Sequence, residues 1–266
     1  MLLDNQIDIS KELMDFIKES PTAFHVVKNF STMLEKAGFI KLNERNKWKI
    51  EQGGKYYVTR NDSSIIAFQV PDNMEFYNFQ IAAAHSDSPA FKIKENPEMV
   101  EDNNYVTLNV EKYGGMLMAP WFDRPLSVAG RVIVREDSGL KPVLVNVDRD
   151  LCVIPNLAIH MNRDVNNGIK YNPQKDMIPL FGEIASKDKF EKIIAMEAGT
   201  DADSIVSADL FLYNREVGKI WGADNEFMSA PRLDDVMCAF SCIKALTDNK
   251  ENNESVNVCA ILIMKR

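Results

Sequence analysis

Apolar positions recur at helical spacing near the start of the chain and alternate with polar ones further on, which predicts helices first and strands after them. Ile9, Leu13, Phe16 and Ile17 share one face of a helix predicted over residues 9–18. Ser20-Pro21 predicts the start of a second helix, with a capping residue followed by proline at the first helical position. Phe24, Val27, Phe30 and Leu34 carry its apolar face to Gly38, which is placed to end it in a left-handed conformation. His25, on this helix, reads as a surface or core-edge histidine. Residues 55–60 and 64–70 then predict two strands joined at Asn61-Asp62, preceded by a turn at Gly53-Gly54. A third strand over 79–84 runs through Ile81-Ala82-Ala83-Ala84 to His85, and its unbroken apolar character predicts a buried strand of an α/β sheet.

From about residue 95 the pattern turns to short strands punctuated by glycine and proline, with candidates at 105–110, 131–135, 143–147 and 209–213. A β-rich domain inserted into an α/β one is expected, with boundaries at 1–94, 95–222 and 223–266. The polar loop 162–176 contains Asn166-Asn167-Gly168, and a loop of that length is functional or mobile. His160, just before it, reads by itself as structural. Val236, Phe240, Ile243 and Leu246 predict a final amphipathic helix led in by Arg232-Leu233-Asp234-Asp235, and 256–263 predicts a buried strand.

His85 stands where a strand of such a sheet ends, which is where ligand sites lie. Two readings stand for His85 and Asp87: a metal ligand with a carboxylate that orients it, or a hydrogen-bonded histidine beside a turn cap. Asp234 and Asp235 likewise read either as partners of the helix dipole or, for Asp234, as a metal ligand at a rigid helix start. Cys152, Cys238, Cys242 and Cys259 lie in apolar surroundings and predict buried thiols rather than disulfides, with a metal shared by Cys238 and Cys242 the lesser reading. Lys and Arg total 31 against 39 Asp and Glu, a net charge of −8, so neither nucleic acid nor an anionic membrane is an expected partner. With no basic, apolar leader and no run of membrane-spanning length, a cytoplasmic protein is expected.

Several segments together resemble the aspartyl aminopeptidases, a family of dinuclear zinc exopeptidases. They are Ser20-Pro21-Thr22-Ala23-Phe24-His25, residues 53–61, His85-Ser86-Asp87-Ser88-Pro89, Trp121-Phe122-Asp123-Arg124, Ile154-Pro155-Asn156-Leu157-Ala158-Ile159-His160 and Arg232-Leu233-Asp234-Asp235. The resemblance implies a mixed-sheet zinc exopeptidase domain interrupted by a β-rich dimerisation domain, assembled as a homo-oligomer, often a dodecamer. It implies His85 and Asp234 as metal ligands, Asp234 bridging two zinc ions, and Asp87 as the catalytic-site carboxylate that orients His85. His160 is implied to contact substrate in a neighbouring subunit's site. The implied reaction removes acidic residues from peptide N-termini, with two metals about 4 Å apart polarising the carbonyl and activating water.

The resemblance breaks off at the end. After the strand near Ala260, family members carry Glu-Glu-Val-Gly, which supplies the general base and a further ligand, whereas here the sequence reads Leu262-Ile263-Met264-Lys265-Arg266. One added base in a suitable codon choice for residues 261–266 restores Ile-Phe-Asp-Asn-Glu-Glu, so a single-base deletion is expected. A truncated, inactive peptidase with one bare sheet face is therefore expected, the alternative being a fragment that serves only as an oligomerisation or interaction module.

Overall fold

The computed structural model describes residues 2–73, 78–249 and 254–264; Lys265 and Arg266 of the tail considered above lie outside these. The chain begins with helices α1 (Leu2–Lys18) and α2 (Ala23–Lys36) and continues through strands β1 (Ile40–Lys41), β2 (Lys55–Arg60), β3 (Ser64–Gln69) and β4 (Asn78–His85). Next come β5 (Ala90–Glu101), β6 (Tyr105–Tyr113), β7 (Leu126–Glu136), β8 (Gly139–Asn146), β9 (Leu180–Glu183), helix α3 (Phe190–Ala198) and β10 (Ile205–Asn214). A short hairpin, β11 (Lys219–Trp221) with β12 (Phe227–Ser229), leads to helix α4 (Leu233–Asp248) and strand β13 (Ser255–Leu262).

Two compact units result, one formed by the residues up to Ser88 together with those from Val217 onward, the other by Pro89–Glu216. The changeovers lie at 88/89 and 216/217, a few residues before 94/95 and 222/223: β5 enters the second unit's sheet from Ala90, and β10, the last strand of that sheet in the chain, ends at Asn214.

The first unit is built on a mixed sheet in the order β1-β2-β3-β13-β4. β13 is antiparallel to β3 and parallel to β4, and its register sets Ile261 against Ala84 and Leu262 against His85. Strand alternation gives this sheet two distinct faces. Tyr57, Ile65, Ala67, Cys259 and Ile261 point to one, where they pack with Phe16 and Ile17 of α1, Phe30 and Leu34 of α2, and Phe240 and Ile243 of α4. Phe16 stacks on Phe30 at 4.6 Å and meets Phe240 at 5.5 Å, tying the three helices together. On the opposite face Trp48 and Tyr56 lie against Phe68. Beyond them Ile66, Phe79, Ile81 and Leu262 are exposed. The strand leading to His85 is thus not buried as expected: Phe79 is 62% and Ile81 67% accessible, because β4 is the last strand of the sheet and this part of the face is bare among the described residues.

Local chemistry accounts for the helix ends. The second helix begins at Ala23 after an extended Thr22, not at Pro21, since Ser20 is drawn inward to accept a hydrogen bond from Asn29 Nδ2 at 2.9 Å. It ends before Gly38, whose φ of +84° is the left-handed conformation expected there. Asn61 and Asp62, both at positive φ, make the turn between β2 and β3. Ile9 is exposed instead of packing with Leu13, Phe16 and Ile17.

The second unit carries a six-stranded antiparallel sheet, β8-β7-β10-β5-β6-β9, around Phe91, Leu108, Val128 and Leu212. Phe190 and Ile194 of α3, a helix the apolar pattern does not predict, pack into this core. Loop 162–176 is irregular apart from one 3-10 turn at Val165–Asn167. All four cysteines are free; Cys152 and Cys259 are buried as expected, but Cys238 is exposed on α4. Burial pushes the Cys152 thiol up to about 12.

His25 is buried rather than superficial, with Nδ1 2.9 Å from Thr22 Oγ1. Burial, then the charges of Lys28 and Arg232, hold its pKa down to about 4 from an ordinary 6.5. Between those values the unfolded chain binds a proton that the folded one refuses, so stability falls as pH drops from 6.5 toward 4, by at most about 3 kcal/mol from this group. Urea unfolding of the native chain and of His25→Gln at pH 7.5 and pH 5 is expected to show a larger acid loss for the native chain. Equal losses would contradict this assignment.

Candidate metal site

The end of β4 meets the start of α4 at a cluster of one imidazole and two carboxylates. β4 delivers His85, which is 8% accessible. Its Nδ1 lies 2.8 Å from the main-chain carbonyl oxygen of Asp87 and 3.3 Å from Asp87 Oδ1. Both of these are acceptors, so the neutral ring carries its proton on Nδ1 and presents a lone pair at Nε2. The orienting contact expected of Asp87 is therefore made in the first place by its backbone carbonyl. Its carboxylate also accepts the Met264 N–H at 2.9 Å, which fastens the end of the described chain to the site.

Nε2 faces Asp234 Oδ1 at 3.4 Å and Asp235 Oδ2 at 3.6 Å. The two aspartates stand at the head of α4 in non-helical conformations, Asp234 at φ −85°, ψ 106° and Asp235 at φ −120°, ψ 18°. From there Val236, Phe240, Ile243 and Leu246 anchor the helix in the core, so apolar burial fixes where the carboxylates stand. Asp235 Oδ2 also accepts the His85 main-chain N–H at 2.9 Å and pins the strand end directly to the helix start. The Asp235 side chain is mostly buried, while that of Asp234 is 64% accessible and open to solvent.

One ligand atom from each of His85, Asp234 and Asp235 falls within 4.8 Å of the others. Imidazole nitrogen and carboxylate oxygen are zinc donors, and three converging atoms that all bear lone pairs repel unless a cation lies among them. The donor set therefore fits a divalent metal. Neither Cys238 nor Cys242 belongs to the group. Asp235 is the member that sequence reasoning passed over, although the Asp234-Asp235 doublet at a helix start was its visible sign.

His160 belongs to the second unit, in an exposed turn where Met161 N donates to Ala158 O at 2.8 Å. Its loop is held by Asp123, whose N–H donates to Ile154 O at 2.9 Å and whose Oδ1 accepts the Asn156 N–H at 2.9 Å. The Trp121–Arg124 and Ile154–His160 segments are thus clasped to one another, a role for Asp123 that sequence reasoning did not assign.

Residues 16–264 match the family model for aminopeptidase I zinc metalloproteases, M18. The chain is similar to a probable M18 family aminopeptidase 2 of Clostridium acetobutylicum, 49% identical over an alignment of 267 positions that covers 97% of this chain and 61% of that protein. It spans, then, about three fifths of the length of that relative. Among solved structures it resembles mApe1 of Chaetomium thermophilum, with a TM-score of 0.87 at 32% identity over 96% of this chain and 62% of that one. The mApe1 dodecamer of S. cerevisiae gives a TM-score of 0.80 at 26% identity, over 97% of this chain and 60% of that one. A match running through both units and through the His85, Asp87 and Asp234 segments places this mixed α/β chain in the M18 family of zinc metallo-aminopeptidases.

Proposed function

We propose that this chain supplies the first part of the peptidase domain, and the inserted domain, of a zinc aminopeptidase acting on peptides with acidic N-terminal residues. The observation that carries the reading is the convergence of His85 Nε2 with the Asp234 and Asp235 carboxylates at a strand end, in a chain matched by the M18 model over residues 16–264. In this reading His85 and Asp234 are metal ligands. Asp87 and Asp235 are positioning residues, the first holding the ring through Nδ1 and the second holding the strand end through the His85 N–H. Zinc, when bound, supplies a Lewis acid that polarises a carbonyl and makes water acidic enough to attack near neutral pH.

The open side of Asp234 leaves its second oxygen room to face another ion, as the bridging role requires. A dinuclear centre needs about four donors per ion, water included, and the cluster provides His85 and Asp234, with the Asp235 carboxylate beside them as a third protein group at most. This chain alone is therefore half a centre, expected to bind metal without turning over peptide. His160, on its clasped loop, is assigned to substrate contact in a neighbouring subunit, and the β-rich unit to dimerisation within a homo-oligomer of the dodecameric kind known for mApe1. No helix among the described residues is long and apolar enough to cross a membrane; a cytoplasmic location is part of the proposal. The second unit has a core of its own, and this supports the alternative of a non-catalytic oligomerisation module.

Equilibrium dialysis against zinc is expected to show binding that weakens at least tenfold in His85→Ala and Asp234→Ala, and by less in Asp87→Asn, which keeps the backbone carbonyl that holds His85 Nδ1. Zinc uptake unchanged by all three substitutions would remove the site. The purified chain is expected to leave an N-terminal aspartyl peptide uncleaved; hydrolysis that stops on chelation and in Asp234→Ala would show instead that the chain is an active enzyme by itself.

A further inference from the structure

The carboxylates of the candidate metal site are not carried by regular helix. Asp234 and Asp235 both depart from helical conformation, between Leu233 and Val236. Burial of Val236 and Phe240 fixes the body of α4, but it does not by itself decide where the two side chains ahead of Val236 point. Asp235 has a tether of its own, the His85 main-chain N–H. Asp234 is 64% accessible, and among the described residues no hydrogen bond holds its side chain. Its direction is set by the backbone that leads into it.

That backbone is strained at one point. Arg232 has φ +59° and ψ 26°, a left-handed conformation that glycine takes freely and that other residues keep only when their surroundings hold them there. Here the hold is visible. Arg232 Nη2 donates to the main-chain carbonyl oxygen of Ile17 at 2.8 Å. The residue four places after Ile17 is Pro21, which has no N–H, so this carbonyl lacks its α-helical donor and accepts Ser20 N at 3.1 Å as well as the guanidinium. A cation also suits the negative end of α1. Leu13, Phe16 and Ile17 bury that end in the core, which makes the carbonyl a fixed post. The same guanidinium charge helps keep His25 of α2 neutral, and Ala230 and Leu233, on either side of the turn, pack against the core.

We propose that Arg232 is a positioning residue for the metal-site carboxylates: its bond to the Ile17 carbonyl holds the left-handed turn from which Asp234 and Asp235 reach His85. The end of α1, 215 residues away in sequence, thereby serves as the reference point for the site. That the site takes a metal rests on the functional reading above. The positioning does not, because it acts on the bond from the His85 N–H to Asp235, which needs no metal. A purely structural arginine would behave differently: its loss would lower the stability of the whole unit and leave the site intact in molecules that stay folded.

The test compares the native chain with Arg232→Met, which keeps the length and loses the donor, and Arg232→Lys, which keeps a cationic donor. The first readout is amide exchange by NMR without metal, taken for His85 relative to Ala67, a core residue paired with both Tyr57 and Cys259. Global destabilisation moves both amides together, so the ratio reports the site alone. The ratio is expected to rise about tenfold in Arg232→Met and to stay within about threefold of native in Arg232→Lys. Zinc binding by equilibrium dialysis is expected to weaken about tenfold in Arg232→Met and to recover in Arg232→Lys. An unchanged exchange ratio in Arg232→Met, or the same rise in both variants, would overturn the proposal. So would native zinc affinity in a folded Arg232→Met, where the native chain binds zinc through His85. If Arg232→Met does not fold, Arg232→Gly carries the comparison, since glycine takes the positive φ without strain and only the donor is lost; a native ratio there would show that the turn needs no arginine. Zinc binding by the native chain that is absent or indifferent to His85→Ala would defeat the metal reading, and the exchange ratio would still decide the positioning.

Discussion

The parallel pairing of β13 with β4 is the constraint on which the rest of the first unit depends. It sets Leu262 beside His85, so the last strand of the chain and the strand that carries the imidazole end at the same level. Three links then close around that level: Ser86 N to Leu262 O at 3.0 Å, Met264 N to the Asp87 carboxylate, and His85 N to the Asp235 carboxylate. Each joins residues remote in sequence; the first two need the two strands in this register, and the third ties β4 to the start of α4. Backbone hydrogen bonding thus fixes the ring before any metal chemistry is considered.

Apolar packing sets the other half of the arrangement. Asp234 and Asp235 stand where they do because Val236, Phe240 and Ile243 lock α4 against the same sheet face that Cys259 and Ile261 form. The site therefore joins a buried, hydrogen-bonded side at His85, Asp87 and Asp235 to an open side at Asp234. Such asymmetry suits a centre in which the protein holds one ligand rigidly and leaves a second facing solvent, substrate or a further ion.

Much of this was legible in the sequence where a single physical rule acts locally. The buried stripe Phe24, Val27, Phe30, Leu34, the glycine stop at Gly38 and the turn at Asn61-Asp62 follow from periodicity and backbone conformation alone. Features that depend on distant partners were not legible. β5 is not legible because Pro97 and the charged residues around it break the alternation, and its pairing with β6 does shift between Ile93 and Glu98. In α3, nine residues long, the buried positions Phe190, Ile194 and Ala195 are too few to display a period. Asp235 looked like a helix-start charge because its partner, the His85 N–H, lies 150 residues away. The apolar run before His85 has the composition of an interior strand, while its exposure depends on what lies beside it.

The register of β13 against β4 also makes the core a ruler for the site. Alternation sends Cys259 and Ile261 inward and Val258, Ala260 and Leu262 outward, so a slip of one residue would turn the buried pair to solvent and bury their neighbours. The same slip would carry Met264 away from Asp87 and leave its carboxylate without that donor. Hydrophobic burial, which recognises no metal and no substrate, thereby proofreads the spacing of polar groups at the far end of the strand. Selection for a well-packed core and selection for an accurate centre act here on the same residues, and neither Cys259 nor Ile261 has to touch the site to be indispensable to it.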